Sequence, residues 1–193
     1  MLADLLAHPG VEEVCALAGP FGIMAFHGGS LERGTDVIAE AAAARAGASF
    51  YAIRQPEDLN WHIPSVAVDP AHSPALAAFL AHVDTVVAVH GYGRQEMWTT
   101  LLLGGRNRGV AARLRAALEA GLGPAFTVQD DLEQIPAPLR GQHPRNPVNL
   151  PRAAGVQLEL PPRVRGQAPT SQAWHVEAVI DAPAATATTF SRQ

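Results

Sequence analysis

FGIMAFHGGSLE, residues 21–32, is the stretch whose reading decides the fold. An apolar run bounded by turn residues reads as a buried strand. It delivers His27 and Glu32 to its mouth, on a turn made pliable by Gly28 and Gly29. Two later segments share the form. VVAVHGYG, residues 86–93, runs a string of valines into His90, and GVQLEL, residues 155–160, carries Glu159 inside a short strand. Reacting groups of α/β proteins sit beyond the carboxyl ends of their strands. Such ends would bring His27, His90 and Glu159 along one sheet edge.

Working outward, strands are expected over residues 12–17, 49–54, 84–89, 98–103 and 125–128, with a short one near Trp61. Helices are expected over residues 36–46 (Thr35 as N-cap, Gly47 as stop), from Ser73 or Pro74 to His82, over 109–120, and over 174–189, where Pro183 would kink or interrupt the last. Residues 130–154 form a long loop rich in Pro, Arg and Asn, a length more often functional than incidental. Strands alternating with helices imply an α/β fold of three layers: a mixed, mostly parallel sheet with helices on both faces.

Composition bounds the alternatives. The 193 residues suit one domain, 1–193, with a frayed carboxyl-terminal tail; 48% are hydrophobic and 17% charged, a globular balance. The net charge of −4, with no basic stripe, argues against a nucleic-acid partner. All fourteen basic residues are arginine, which removes a phosphate-loop lysine and a Schiff-base lysine together. Cys15 is alone, so neither an intrachain disulfide nor a cysteine zinc site can form, and it reads as a small buried hydrophobe. No signal peptide and no apolar stretch of about 18 residues is recognised, so no membrane partner is expected. The expectation is a cytoplasmic monomer, with release from the cell left open.

Two histidines and a glutamate make the ligand set of a catalytic zinc, and a further glutamate can serve as its base. His27, Glu32 and His90 are therefore the candidate metal ligands and Glu159 the candidate base. The bland readings are a polar loop, a core histidine satisfied by backbone and an edge-strand glutamate facing water. Gln157 shares the Glu159 face and is a candidate substrate contact. Tyr92 could donate to a developing oxyanion or simply pack. Arg152, Arg106 and Arg145 are candidates to bind a substrate carboxylate in bidentate fashion, against the alternative of solvated surface residues. His62 reads as a substrate contact or a structural polar group. Asp36 is either a first-turn helix acid or the orienter of a ligand histidine. No GxSxG elbow, HExxH or GxGxxG occurs.

HGGSLERGTD (27–36), FYAIR (50–54), VVAVHGYG (86–93), LLLGGRNRGVAARLRAALEAG (101–121) and NPVNLPRAAGVQLELPPRVR (146–165) occur in this order. Together they resemble the poly-γ-glutamate hydrolase family of phages and bacteria, over about residues 21–165. The resemblance implies a core like that of zinc carboxypeptidases and a zinc hydrolase that cleaves γ-glutamyl amide bonds in a polymer or peptide. Its metal, Zn2+, would be held by His27, Glu32 and His90, with a water activated for attack and Glu159 as general base. Carboxypeptidases space their first two ligands HxxE, whereas here four residues intervene, which makes Glu32 a departure from that pattern. A zinc deacylase or carboxypeptidase acting on a small N-acyl amino acid, and a non-catalytic binding module on the same scaffold, are the alternatives.

Overall fold

The computed structural model describes residues 1–190. Seven strands form one sheet: β1 (Glu12–Ala16), β2 (Gly19–Gly29), β3 (Ala48–Gln55), β4 (Thr85–Gly91), β5 (Thr100–Leu103), β6 (Thr127–Gln129) and β7 (Gly155–Leu160). Their order across the sheet is β1-β3-β2-β4-β7-β5-β6. β3, β2, β4 and β7 run parallel, β1 pairs antiparallel with β3 at one edge, and β5 runs antiparallel to β7. Five helices join them: α1 (Leu2–Leu6), α2 (Thr35–Ala46), α3 (Pro74–His82), α4 (Arg108–Leu122) and α5 (Ala173–Phe190).

Strand alternation sorts the core into two faces. Ile23, Ala25, Phe50, Val87, Val89, Val156 and Leu158 pack with residues of α2, α4 and α5. Met24, Tyr51, Ile53, Val86 and Ala88 pack with residues of α1 and α3. Each fully buried Val, Leu, Ile, Met or Phe among them contributes about 1.5–3 kcal/mol. On β7 the same alternation turns Gln157 and Glu159 away from the α4–α5 face, and the two remain only 4% and 3% exposed.

The chain passes from β2 to β3 on one side, then crosses to β4 on the other. The carboxyl ends of β2 and β4 thus flank a topological switch point, the place where open α/β sheets bind ligands. Several local expectations need correcting. Residues 56–64 contain no strand near Trp61; Gln55 instead holds that coil, its Nε2 donating to the Trp61 carbonyl and its Oε1 accepting from the Trp61 amide. Thr35 is the first residue of α2 rather than its cap, and its hydroxyl donates to the Glu32 carbonyl. Pro183 sits inside α5 without interrupting it. A frayed tail beyond α5 falls on residues 191–193, outside the described residues. Among those described, no helix is long and apolar enough to cross a membrane.

Candidate functional site

β2 ends in a turn that brings two distant side chains together. Gly29 has φ +70°, and a Cβ there would meet the Gln55 carbonyl oxygen at 2.2 Å. Glycine is therefore needed for the strand to bend away against β3. The Glu32 amide then donates back to the His27 carbonyl at 2.9 Å, closing the four-residue gap between the two. Asp36 steadies the turn rather than a histidine: its carboxylate accepts from the Gly29 amide and from Arg54. Arg165 ties the turn to the end of β7, donating through Nε to Leu160 O and through Nη1 to Arg33 O.

His27 Nδ1 stands 2.9 Å from Glu32 Oε1, and His90 Nδ1 stands 3.3 Å from Glu32 Oε2. The Gly91 amide also donates to Oε2, at 2.9 Å. One donor atom from each of His27, Glu32 and His90 lies within 4.8 Å of the others, so the unusual spacing does not keep Glu32 out of the cluster. Phe26 packs edge-on against both imidazoles, at centroid distances of 4.8 and 4.7 Å.

The donor chemistry fits a cation. His27 Nε2 lies 2.9 Å from the Ile63 carbonyl, which can only accept, so Nε2 carries the hydrogen. In the neutral ring, Nδ1 then turns a lone pair toward an anionic oxygen, which is unfavourable unless a proton or metal ion lies between. Orienting a ligand imidazole through its other nitrogen is how metal sites fix the tautomer. His90 Nε2 is buried without a hydrogen-bond partner among the described residues. Burial would raise the Glu32 pKa, but the charges of His90 and His27 and their hydrogen bonds outweigh it and hold the carboxylate well below its usual range. His90 shows the converse: burial opposes its charge, yet Glu32 and Glu159 raise its pKa.

Glu159 lies beside His90 in register on adjacent strands. Burial raises its pKa and Glu32 adds to that, while His90 and the Gln157 hydrogen bond act in the opposite direction. Both residues open on a cleft of about 960 Å³. One wall is His62 with residues 64–66; the other is residues 137–143, including Arg140 and His143. His62 is an exposed residue of this wall, its ring 5.0 Å from that of His27, and burial and the His27 charge lower its pKa.

The other five expected substrate contacts fall in different places. Arg152 pairs with Asp84 at 2.9 Å; these residues precede β7 and β4, so they sit at the opposite end of the sheet. Arg106 is also at that end, because β5 runs against β7; the neighbouring Asn107 amide donates to Gly155 O, at the start of β7. The Tyr92 hydroxyl lies within hydrogen-bond distance of the carbonyls of Met97 and Thr100, between which its one hydrogen is shared, and so ties the end of β4 to β5. Gln157 lines the cleft, but its amide is engaged by Asn146 and Glu159. Arg145 is exposed and does not line the cleft. Arg140 does, and sequence reasoning missed it; its place in the Pro- and Arg-rich loop was the available signal.

A sequence model of the family described as poly-gamma-glutamate hydrolase matches residues 7–176. No curated protein sequence matches the chain. Among solved structures, a bacteriophage poly-gamma-glutamate hydrolase superposes with a TM-score of 0.79 at 17% identity, covering 97% of this chain and 93% of that one. The zinc-free form of YNDL gives 0.72 at 20% identity, covering 91% and 88%. A metallo-carboxypeptidase from Burkholderia cenocepacia gives 0.51 at 11% identity, covering 99% and 67%. These likenesses establish the fold that the strand pattern implied.

Proposed function

This chain belongs to the poly-γ-glutamate hydrolase family, and from that premise we propose that it is a zinc-dependent hydrolase of γ-glutamyl amide bonds. The observation that carries the proposal is the meeting of His27, Glu32 and His90 within 4.8 Å at the floor of a cleft that Glu159 also lines. His27, Glu32 and His90 would hold the ion. A bound zinc supplies a Lewis acid that polarises the scissile carbonyl and makes water a nucleophile near neutral pH.

The remaining work falls to the chain. Glu159 Oε1 accepts from Gln157, which leaves Oε2 to take the proton of the attacking water and return it to the leaving amine. The raised pKa suits that exchange, since a base must both bind and release its proton. Arg140 is the arginine on the cleft wall and is assigned the substrate carboxylate. Its Nε donates to Ile135 O and its Nη2 to Glu133 O, which holds the guanidinium in place. Nη1 keeps only a loose 3.9 Å approach to the exposed Glu133 carboxylate and is the donor left for substrate. The net charge of −4 means that attraction of a polyanion is local to this wall.

Between a polymer and a small N-acyl amino acid, the volume and two-walled shape of the cleft favour the polymer. Size-exclusion chromatography of poly-γ-glutamate after incubation with the zinc-loaded protein tests this. A shift to shorter chains is expected; an intact polymer alongside hydrolysis of N-acyl amino acids would replace it with the deacylase reading.

A further inference from the structure

Three buried polar side chains form a continuous line into the site. Asn146 Nδ2 donates to Gln157 Oε1 at 2.8 Å, and Gln157 Nε2 donates to Glu159 Oε1 at 2.8 Å. Asn146, Gln157 and Glu159 are 3%, 4% and 3% exposed, so little water competes for the bonds between them.

The direction of the line is fixed by backbone at both ends. The Val148 amide donates to Asn146 Oδ1 at 3.2 Å, so the Asn146 NH2 group must point the other way, toward Gln157. The Leu139 carbonyl lies 3.4 Å from Gln157 Nε2 and can only accept, so it selects the same orientation of the second amide. Reversing Gln157 would set carbonyl against carbonyl at Leu139 and oxygen against oxygen at Glu159. The loop also leaves that amide little room, since a Cβ at Gly141 would come within 2.6 Å of Gln157 Oε1.

We propose that Asn146 and Gln157 are positioning residues, a one-way amide relay that always presents an N–H to Glu159 Oε1 and so holds Oε2 toward the cleft. This rests on Glu159 being the base. The relay also explains why a long loop precedes β7: residues 137–149 supply Leu139, Gly141, Asn146 and Val148, each of which constrains an amide. Buried amides that merely filled space would not need their polarity set from both ends.

The test is Asn146→Asp, which keeps the acceptor for the Val148 amide and the side-chain shape but presents an oxygen to Gln157 Oε1. Loss of the donor at Glu159 should lower kcat on poly-γ-glutamate roughly ten- to hundred-fold, the worth of a hydrogen bond to a charged group, with KM and bound zinc unchanged. Gln157→Met, which removes the amide at near-constant volume, should give the same pattern and decides the matter if Asn146→Asp does not fold. Introduced into Glu159→Gln, Asn146→Asp should cost a clearly smaller fraction of kcat, because the new amide can donate to a reversed Gln157 and only the Leu139 contact is then lost. An equal fractional loss in both backgrounds, or a loss carried by KM or zinc content, would overturn the relay. Full activity in Glu159→Gln alone would instead overturn the assignment of the base, and the relay with it.

Discussion

Replacing Gly29 with alanine should damage the protein far more than replacing Gly47, although both glycines have similarly positive φ, +70° and +62°. An L-residue in that region costs about 1–2 kcal/mol, offset in part by a stiffer unfolded chain. At Gly47, the C-cap of α2, nothing lies within 4 Å of the added Cβ, so Gly47→Ala should cost only about 1 kcal/mol. At Gly29 the Cβ meets Gln55 O at 2.2 Å and Gln55 N at 2.5 Å, and both are backbone atoms of β3. Displacing them adds about 1–3 kcal/mol, for a total of roughly 2–5 kcal/mol. At about 2–4 °C per kcal/mol for a chain of this size, Gly47→Ala should lower Tm by about 2–4 °C and Gly29→Ala by roughly 4–20 °C. Calorimetry of the metal-free proteins measures both. Because the turn after Gly29 carries Glu32, zinc affinity should fall about ten-fold or more in Gly29→Ala and stay unchanged in Gly47→Ala. Equal melting shifts for the two variants, or a Gly29→Ala protein that binds zinc normally, would refute the claim that this close approach shapes the site.

Glu159→Gln should lower kcat by about 10²–10⁴-fold while keeping zinc, and it should also stabilise the metal-free protein at neutral pH. The sign follows from burial: the folded pKa of Glu159 lies above its unfolded value, so the folded state holds the extra proton and stability falls as pH rises through that interval. The gain from Glu159→Gln should thus be present at pH 7.5 and shrink in melts approaching pH 4; a gain that does not vary with pH would argue against a buried, ionising Glu159. Arg140→Ala should raise KM for poly-γ-glutamate roughly ten- to hundred-fold through loss of a charge-assisted contact, whereas Arg152→Ala and Arg106→Ala should leave it unchanged. Steady-state kinetics on the three variants in parallel checks this, and a KM effect from Arg152→Ala would contradict the assignment of the cleft wall.

Much of the fold was legible because its strands announce themselves. FGIMAF and VVAV are buried on both faces, and only strands covered by helices on each side sustain such runs. The same logic brings His27, His90 and Glu159 to one edge, since each ends or nearly ends a parallel strand. Arg106 and Arg152 lie at the far end of the sheet for a directional reason. Arg106 follows β5, and nothing in TLLL reveals that this strand runs against β7 and sends its successor to the far end. Arg152 could have been excluded, because it precedes β7 and so belongs at the amino end of that strand. Glu32 rested on a spacing that suits neither a helix nor a strand, and only the turn closed by the Glu32 amide and the His27 carbonyl explains it. The roles of Gln157 and Asn146 were hidden because hydrogen-bond direction depends on which backbone groups a loop brings near, and residue type does not encode that.

The central claim is that His27, Glu32 and His90 hold a zinc ion required for γ-glutamyl hydrolysis. Its most direct test is metal content by mass spectrometry, measured on the same preparations as poly-γ-glutamate cleavage, for the wild-type chain and for His27→Ala, Glu32→Ala and His90→Ala. One zinc per wild-type chain, lost together with activity in every variant while each remains folded, is the predicted result. A wild-type protein that cleaves the polymer without bound metal, or variants that keep both zinc and activity, would contradict it.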